Sequence, residues 1–169
     1  MLLGFRKVGL RMRTLNIYIE TSVFNFYFSD QDEEKKADTI KLFDEIRIKK
    51  YKPFVSASVL EELSRASEPK RSMMISLVSE YEMQLLPASL EAEQLADEYV
   101  LEGIIPDKYR TDGIHIALTA VYGLDFIVSY NFTHIVKRKT IEMTEIVNFR
   151  EGYKRVGIYS PTEVIEYDE

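Results

Sequence analysis

The segment TDGIHIALTAVYGLDFIVSYNFTHI, residues 111–135, carries most of the information about the architecture. Asp112 opens a run that is apolar on nearly every side and closes on Gly123, which predicts a buried helix. DFIVS, residues 125–129, follows directly and is typical of a short buried strand. A buried helix that leads straight into a buried strand indicates a parallel sheet covered by helices.

The rest of the chain alternates in the same way. We predict further strands at LNIYIE, PFVS, MQLLP and VGIYS. Helices are predicted over 33–50, 56–67, from near Pro69 to about Tyr81, over 89–103 and largely over 131–150, with Ser56 or Ser58, and Ser89, as N-caps. This order predicts an α/β fold, a three-layer α/β/α sandwich with a central, mainly parallel sheet.

Composition restricts the classes of site. The chain has 169 residues, which suits one domain, and it contains no cysteine. A disulfide framework and a cysteine-based zinc site are therefore excluded, and a reducing cytoplasm is favoured. With two histidines, any metal is expected to be a hard cation on oxygen ligands. A net charge of -6 argues against a general nucleic-acid coat protein, though not against an enzyme that meets RNA or DNA through a metal.

The N-terminal residues differ from the rest in charge. Residues 1–14 carry four basic residues and no acid, and Met12 offers a second start position. We therefore expect residues 1–14 to be a basic extension and residues 15–169 to form a single domain. No apolar run is long enough to span a bilayer, so no membrane association is expected.

In parallel sheets, ligands bind beyond the carboxyl ends of the strands, so polar residues there are the first candidates for a site. Glu20 ends the first strand, with Ser22 beside it, and a lone carboxylate there is costly unless it is paired, hydrogen-bonded or bound to a cation.

Glu62 follows the second strand and lies at the edge of its helix's apolar face. Glu61 points away and is solvated. Taken alone, Glu62 is better interpreted as a surface charge.

The region after residue 110 adds further polar candidates. Asp112, taken singly, is more often a helix-capping residue than a catalytic one. His115, one turn on, is expected to be a packed residue and not a metal ligand. A hydrogen bond from His115 to a carboxylate ligand is the alternative between these two. Asn131 suits a helix N-cap as well as a site, Ser129 is a strand-end hydroxyl, and His134 is interpreted as a surface or packing residue.

Considered together, these polar residues predict a metal site, which none of them predicts alone. Several carboxylates that converge on one cleft repel each other and need a cation, and oxygen ligands favour Mg²⁺ or Mn²⁺. Such ions assist hydrolysis of a phosphodiester. The sequence has no nucleophile-elbow serine and no phosphate-binding glycine-rich loop, so covalent and P-loop chemistry are not indicated.

The motifs IYIETSVF, VSASVLEELSRA, TDGIHIALTAVYGLDFIVSYNFTHI and GIYSPTEVI occur in an order that resembles a PIN-domain nuclease of the VapC toxin type. The resemblance covers nearly all of residues 15–165. It implies an Mg²⁺- or Mn²⁺-dependent ribonuclease, an RNA substrate that is usually single-stranded, a small antitoxin partner and a homodimer. It supports the α/β/α sandwich on independent grounds.

The resemblance also implies roles for individual residues. Glu20 stands where the family usually has Asp, Glu62 stands at the helix Glu, Asp112 at the third acid and Asn131 where many members have a fourth acid. Those four are the implied catalytic residues, and Glu20, Glu62 and Asp112 are the implied metal ligands. Ser22 matches the small hydroxyl residue that often assists in the family's first motif, and His115 and Ser129 are supporting candidates from their positions in the sequence. Glu in place of Asp at position 20 makes that ligand side chain one methylene longer. Asn131 in place of a fourth acid removes one negative charge from the site.

Two other interpretations remain open. The substitutions at Glu20 and Asn131 are compatible with a PIN-like domain that has lost activity and serves as a binding module. A phosphoacceptor or phosphatase domain would need a nucleophilic Asp at position 20, for which Glu is a poor substitute. Basic clusters that could steer a nucleic-acid backbone, each more often a solvated face, are Arg65, Lys70-Arg71, Lys108-Arg110 and Lys137-Arg138-Lys139.

Overall fold

The structure, a computed structural model, describes residues 13–167. Its centre is a parallel sheet with strand order β3-β2-β1-β4-β5, in which every neighbouring pair is parallel. The strands are β1 Leu15–Ile19, β2 Tyr51–Ser56, β3 Gln84–Leu86, β4 Phe126–Val128 and β5 Gly157–Tyr159. All five predicted strands are present. Ile17, Tyr18 and Ile19 are fully buried, as expected for a central strand covered on both faces.

The helices are α1 Thr21–Tyr27, α2 Glu33–Arg47, α3 Ala57–Ser64, α4 Lys70–Glu80, α5 Leu90–Leu101, α6 Arg110–Val121, α7 Arg138–Arg150 and α8 Pro161–Val164, with a 3₁₀ turn at Asp107–Tyr109. They contact one another in two groups. α5, α6 and α7 form one group, and α1–α4 with α8 form the other. With the sheet between them, these layers confirm the predicted α/β/α sandwich.

Helix α6 is buried, as its apolar sequence predicts. It packs against α5 on one side and contacts β1 and β4 on the other, and its residues from His115 to Ala120 are all buried. Gly123 ends it with a φ of +64°, a conformation that favours glycine. The helix starts at Arg110, so Asp112 lies within its first turn.

Two segments differ from the prediction. Thr21–Tyr27 forms helix α1, which the sequence analysis missed, and Phe24 is fully buried, so this aromatic segment packs into the core. The helix predicted over 131–150 begins only at Arg138. The Asn131 carbonyl accepts hydrogen bonds from the amides of Ile135 and Val136, which closes residues 131–136 into turns instead.

Two expectations concern the ends of the chain and the membrane. Residues 1–12 of the expected basic extension lie outside the described residues, while Arg13 forms an ion pair with Asp125 at 2.6 Å. Among the helices of residues 13–167, none combines the length and the apolar character needed to cross a membrane.

The strand order places a topological switch point at β1. The chain crosses from β1 to β2 on one side and reaches β4 on the other, so the carboxyl ends of these three strands adjoin. This is where open α/β sheets place their ligands. Glu20 follows β1 directly, Ser56 ends β2 and Ser129 follows β4.

The Ser89→Ala variant tests the predicted N-cap of α5. The Ser89 hydroxyl accepts a hydrogen bond from the Ala92 amide at 3.2 Å, and its loss is expected to lower the free energy of unfolding by about 1 kcal/mol. Urea denaturation measures this. Ser76→Ala, at an exposed position within α4, is the matched control and is expected to change stability by less than about 0.5 kcal/mol.

Candidate metal centre

Glu20 is buried, with only 4% of its surface exposed, and the structure shows how its charge is accommodated. It is the N-cap of α1, and its Oε2 accepts a hydrogen bond from the Ser22 amide at 3.2 Å. The Ser22 hydroxyl donates to the same oxygen, and so does the Ser129 hydroxyl, at 2.7 Å. A charge-assisted set of three donors offsets much of the cost of burial.

The two serines also join β1 to β4. Ser22 Oγ accepts from the Tyr130 amide at 2.8 Å, and Ser129 Oγ accepts from the Asn131 amide at 2.9 Å. Each hydroxyl therefore donates to Glu20 and accepts from the backbone of the segment that follows β4. The Glu20 carboxylate is thus held in one orientation by the segments that follow β1 and β4.

Glu62 is held by a buried chain of hydrogen bonds. His115, fully buried, lies with its Nε2 at 2.6 Å from Glu62 Oε1, and its Nδ1 lies 2.6 Å from the Tyr18 hydroxyl. Tyr18 in turn contacts Ser56 Oγ at 2.7 Å. Thr21 adds a hydrogen bond to Glu62 Oε1 at 3.2 Å. The helix carrying Glu62 is therefore tied to α6 and to β1 through polar contacts.

The pKa shifts of Glu62, His115 and Tyr18 indicate which of their atoms carry protons. Burial acts to raise the pKa of Glu62, but hydrogen bonds from His115 and Thr21 outweigh it and leave that pKa below its ordinary value. An ionised Glu62 accepts only, so the proton lies on His115 Nε2. Burial alone would lower the pKa of His115, yet the hydrogen bond to Glu62 and the charges of Glu20, Glu62 and Asp112 raise it. Burial raises the pKa of Tyr18 far above its ordinary value, so its hydroxyl stays protonated.

Asp112 belongs to a second cluster beside the first. Its Oδ2 lies 2.9 Å from His134 Nδ1, and the His134 ring packs on Tyr109 with ring centroids 4.1 Å apart. Burial raises the pKa of Asp112, and the charges of His115 and His134 together with the Asn131 amide oppose this only in part. Asp112 is therefore a carboxylate whose charged form would gain from a further cation.

The donor set fits a divalent cation. One ligand atom from each of Glu20, Glu62 and His115 lies within 4.8 Å of the others, while Asp112 is not in that group. Both ring nitrogens of His115 are engaged, with Glu62 and Tyr18, so the candidate ligands in this group are the two carboxylates. All hydrogen bonds to Glu20 use Oε2, and those to Glu62 use Oε1. Among the described residues, Glu20 Oε1 and Glu62 Oε2 accept none. Each carboxylate thus has one oxygen fixed by the protein and one oxygen for a hard cation.

The predicted site residues thus lie in two adjoining clusters. Glu20, Ser22, Ser129, Glu62 and His115 form one, and Asp112 with Asn131 forms the other. The roles of Tyr18, Thr21 and Tyr109 were not predicted from the sequence. Of the two interpretations of His134, surface or packing, the structure agrees with packing: the side chain is only 15% exposed, packs on Tyr109 and also pairs with Asp112. The one sequence signal for His134 was its position three residues after Asn131, whose side-chain carbonyl accepts from the His134 amide at 3.0 Å.

Comparison with solved structures supports the fold. The toxin VapC20 of Mycobacterium tuberculosis, described as cleaving the sarcin–ricin loop, matches with a TM-score of 0.51 at 14% identity, over 83% of this chain and 98% of that one. VapBC2 of Rickettsia felis, described as bound to a DNA fragment from its promoter, matches with a TM-score of 0.50 at 13% identity, over 70% of this chain and 90% of that one. These likenesses confirm the VapC-like PIN fold expected from the sequence. No protein-family model and no curated protein sequence matches the chain.

Proposed function

We propose that the protein is a metal-dependent endoribonuclease that hydrolyses RNA phosphodiester bonds, and that it acts in the cytoplasm as the toxin of a toxin–antitoxin pair. The observation that carries the proposal is the state of the carboxylates at the switch point of the sheet. Glu20 and Glu62 are each fixed through one oxygen by protein donors, and the other oxygen accepts no hydrogen bond among the described residues. That arrangement is what a site for a hard cation needs.

The residues take distinct roles under this proposal. Glu20, Glu62 and Asp112 would hold Mg²⁺ or Mn²⁺, and Asn131 would orient the Asp112 carboxylate or a water. When bound, such an ion acidifies a water and stabilises the charge that develops on the phosphodiester. The supporting residues fix the three acids in place: Ser22 and Ser129 hold Glu20, His115 holds Glu62, and His134 holds Asp112.

The partners are proposed on the same basis. The likeness in fold to a toxin that cleaves the sarcin–ricin loop supports an RNA substrate. The likeness to a VapBC complex supports a small antitoxin that covers the site. We include a homodimer in the proposal because the resemblance in sequence motifs implies one.

Metal removal tests the proposed chemistry. With mixed RNA as substrate, cleavage by the purified protein is expected to require Mn²⁺ or Mg²⁺, to fall by more than about 100-fold in EDTA and to return with excess Mn²⁺, because ligand carboxylates alone do not activate water. Gel analysis of the RNA measures this. An Asp112→Asn preparation purified in parallel controls for contaminating ribonuclease. Equal cleavage in EDTA and in Mn²⁺ would contradict the proposal.

A second candidate function is a PIN-like binding module without hydrolytic activity. It is favoured by the neutral Asn131 and by the two histidines, because His115 and His134 already provide hydrogen-bond partners for Glu62 and Asp112 without a metal. Calorimetric titration with Mn²⁺ separates the two candidates. Heat of binding that is reduced in Asp112→Asn favours the nuclease, and no heat with either protein favours the binding module.

A further inference from the structure

An exposed aromatic ring adjoins the candidate metal centre. Phe132 directly follows Asn131, and half of its surface (50%) is exposed. It lies beside the buried Tyr130, with ring centroids 6.5 Å apart, and Tyr130 packs on Phe26 at 4.7 Å. We call these three rings the aromatic shelf. Phe132 is its solvent-facing member.

The turn that carries Phe132 is held firmly by hydrogen bonds. The Phe132 amide donates to the Tyr130 carbonyl at 3.0 Å, and the Tyr130 hydroxyl contacts Thr39 Oγ1 at 2.9 Å in the core. The Tyr130 amide also donates to Ser22 Oγ, which in turn donates to Glu20. The backbone that carries the ring is therefore fixed relative to Glu20, and a preorganised binding residue lowers the entropic cost of binding a ligand.

Lysines lie near this ring, although the charge around it is mixed: Lys35 is paired with Asp32 at 3.3 Å, and the depression beside Phe132 is also lined by Glu142 and Glu163. Lys35 Nζ lies 4.9 to 5.9 Å from the centroids of all three shelf rings. On the other side, Lys137 and Arg138 line an open depression together with Phe132. Arg138 is paired with Glu142 at 3.0 Å, whereas Lys137 makes no ion pair among the residues that the structure describes. A phosphate beside Phe132 would meet Lys137 first.

The nearest alternative is Tyr109, which is 40% exposed with Lys108 Nζ 5.3 Å from its ring, but its ring already packs on His134 at 4.1 Å. The other exposed groups compared with Phe132 lie among paired charges. Phe149 is 85% exposed on α7, but its neighbours Glu145 and Arg155 pair with each other at 3.5 Å. Arg65 pairs with Glu61, and Arg110 pairs with Glu93 and Asp97. At Phe132, by contrast, an accessible ring shares a depression with the uncommitted Lys137, and the residue directly follows Asn131 of the Asp112 cluster.

An exposed ring face with a cation beside it is an arrangement that can bind a nucleotide, the ring through the base and the cation through the phosphate. Single-stranded nucleic acids bind proteins by stacking bases on aromatic side chains while cations contact the backbone. A base within a duplex is already stacked on both faces and is not available to such a ring. The shelf therefore favours an unpaired nucleotide over a duplex.

We propose that Phe132 stacks on one unpaired base of an RNA bound at the carboxylates, while Lys137 contacts a phosphate of the same strand. This inference rests on the proposed function and deepens it, because it assigns a base-stacking residue and a phosphate-contacting residue for the substrate strand. Phe132 would position the strand and thereby select which phosphodiester lies at Glu20 and Asp112.

Binding of a labelled RNA of about twelve nucleotides, a length within the usual site sizes for single strands, tests this. It is measured by fluorescence anisotropy with Mn²⁺ in the Asp112→Asn background so that the strand stays intact. Phe132→Ala and Phe132→Leu are expected to weaken binding by about 5- to 100-fold, because one stacked base is lost. Phe132→Tyr keeps a ring and is expected to stay within about threefold of the parent. Phe149→Ala is the matched control, an exposed Phe away from the shelf, and is expected to have no effect.

An abasic scan makes the test specific to stacking. Removing one base at a time from the RNA is expected to weaken binding to the parent protein most at a single position. With Phe132→Ala, removing the base at that position is expected to weaken binding no more than removing a base elsewhere. Parent and variant are compared by thermal denaturation and sedimentation to exclude misfolding or altered assembly.

The outcomes separate this inference from the proposed function. Equal binding by Phe132→Ala and the parent, no binding by the parent, or the same Phe132 dependence on duplex RNA would overturn the inference. A changed oligomeric state with unchanged RNA affinity would overturn it too and make the shelf a protein interface. Absence of metal-dependent cleavage with a Phe132-dependent affinity would remove the proposed function and leave the shelf as an RNA-binding surface.

Discussion

Asp112→Asn and Glu20→Gln are each expected to reduce RNA cleavage by more than about 100-fold while leaving the fold intact. Loss of a residue that only supports a metal ligand typically costs about 10- to 100-fold, so loss of a ligand itself is expected to cost more. Both substitutions keep the shape of the side chain and remove only its charge. The measurement is the initial rate of RNA cleavage at saturating Mn²⁺.

The hydrogen bonds of the two acids suggest that both variants will fold. The side-chain amide introduced by Glu20→Gln retains a carbonyl oxygen, which can accept from the hydroxyls of Ser22 and Ser129 that now donate to Glu20 Oε2. The amide introduced by Asp112→Asn can likewise accept from His134. The expected loss of activity is therefore a loss of charge at the centre and not of structure.

Glu61→Gln is the matched control for these variants. Glu61 adjoins Glu62 in sequence but is exposed and pairs with Arg65 at 3.0 Å, so its removal is expected to change activity by less than about twofold. If Glu20→Gln, Asp112→Asn and the parent cleave RNA equally, the acidic centre is not the catalytic site. Loss with Glu20→Gln alone would place the metal at Glu20 and Glu62 without Asp112.

The fold could be predicted from sequence because its signals are local. The strands that deliver Glu20 and Ser129 are short β-branched and aromatic runs between helices, and helix α6 is apolar around its whole circumference. Helix α1 could not be predicted in this way. Its N-cap is Glu20, a residue that also belongs to the site, and its burial depends on contacts with α2.

The strand-end positions of the candidate site residues could be predicted from the sequence, but the contacts between these residues could not. Position after a strand identified Glu20 and Ser129, but nothing in the sequence indicated that Ser129 would donate to Glu20 across 109 residues. The pairing of His134 with Asp112 was missed because it spans 22 residues and requires the turns at 131–137, which the sequence pattern merged into a helix. Contacts of this kind arise from the assembled sheet edge and leave no periodic signal.

His115→Ala is expected to have the largest effect on stability, lowering the free energy of unfolding by about 3 to 5 kcal/mol. His115 is fully buried, so its removal leaves a cavity between α6 and β1. It also leaves Glu62 without its buried hydrogen-bond partner and the Tyr18 hydroxyl with only Ser56. Thermal and urea denaturation measure the loss, which corresponds to roughly 6 to 20 °C in Tm for a chain of this size.

His134→Ala is the matched control, since the chain has only these two histidines and each pairs with one acid of the site. His134 is partly exposed, so water can replace its hydrogen bond, and the expected loss of stability is about 1 kcal/mol. The two variants therefore separate a histidine that supports the core from one that only orients a carboxylate. If His115→Ala were as stable as His134→Ala, the Tyr18–His115–Glu62 chain would contribute little to the fold. Glu62 would then owe its position to Thr21 and to helix packing.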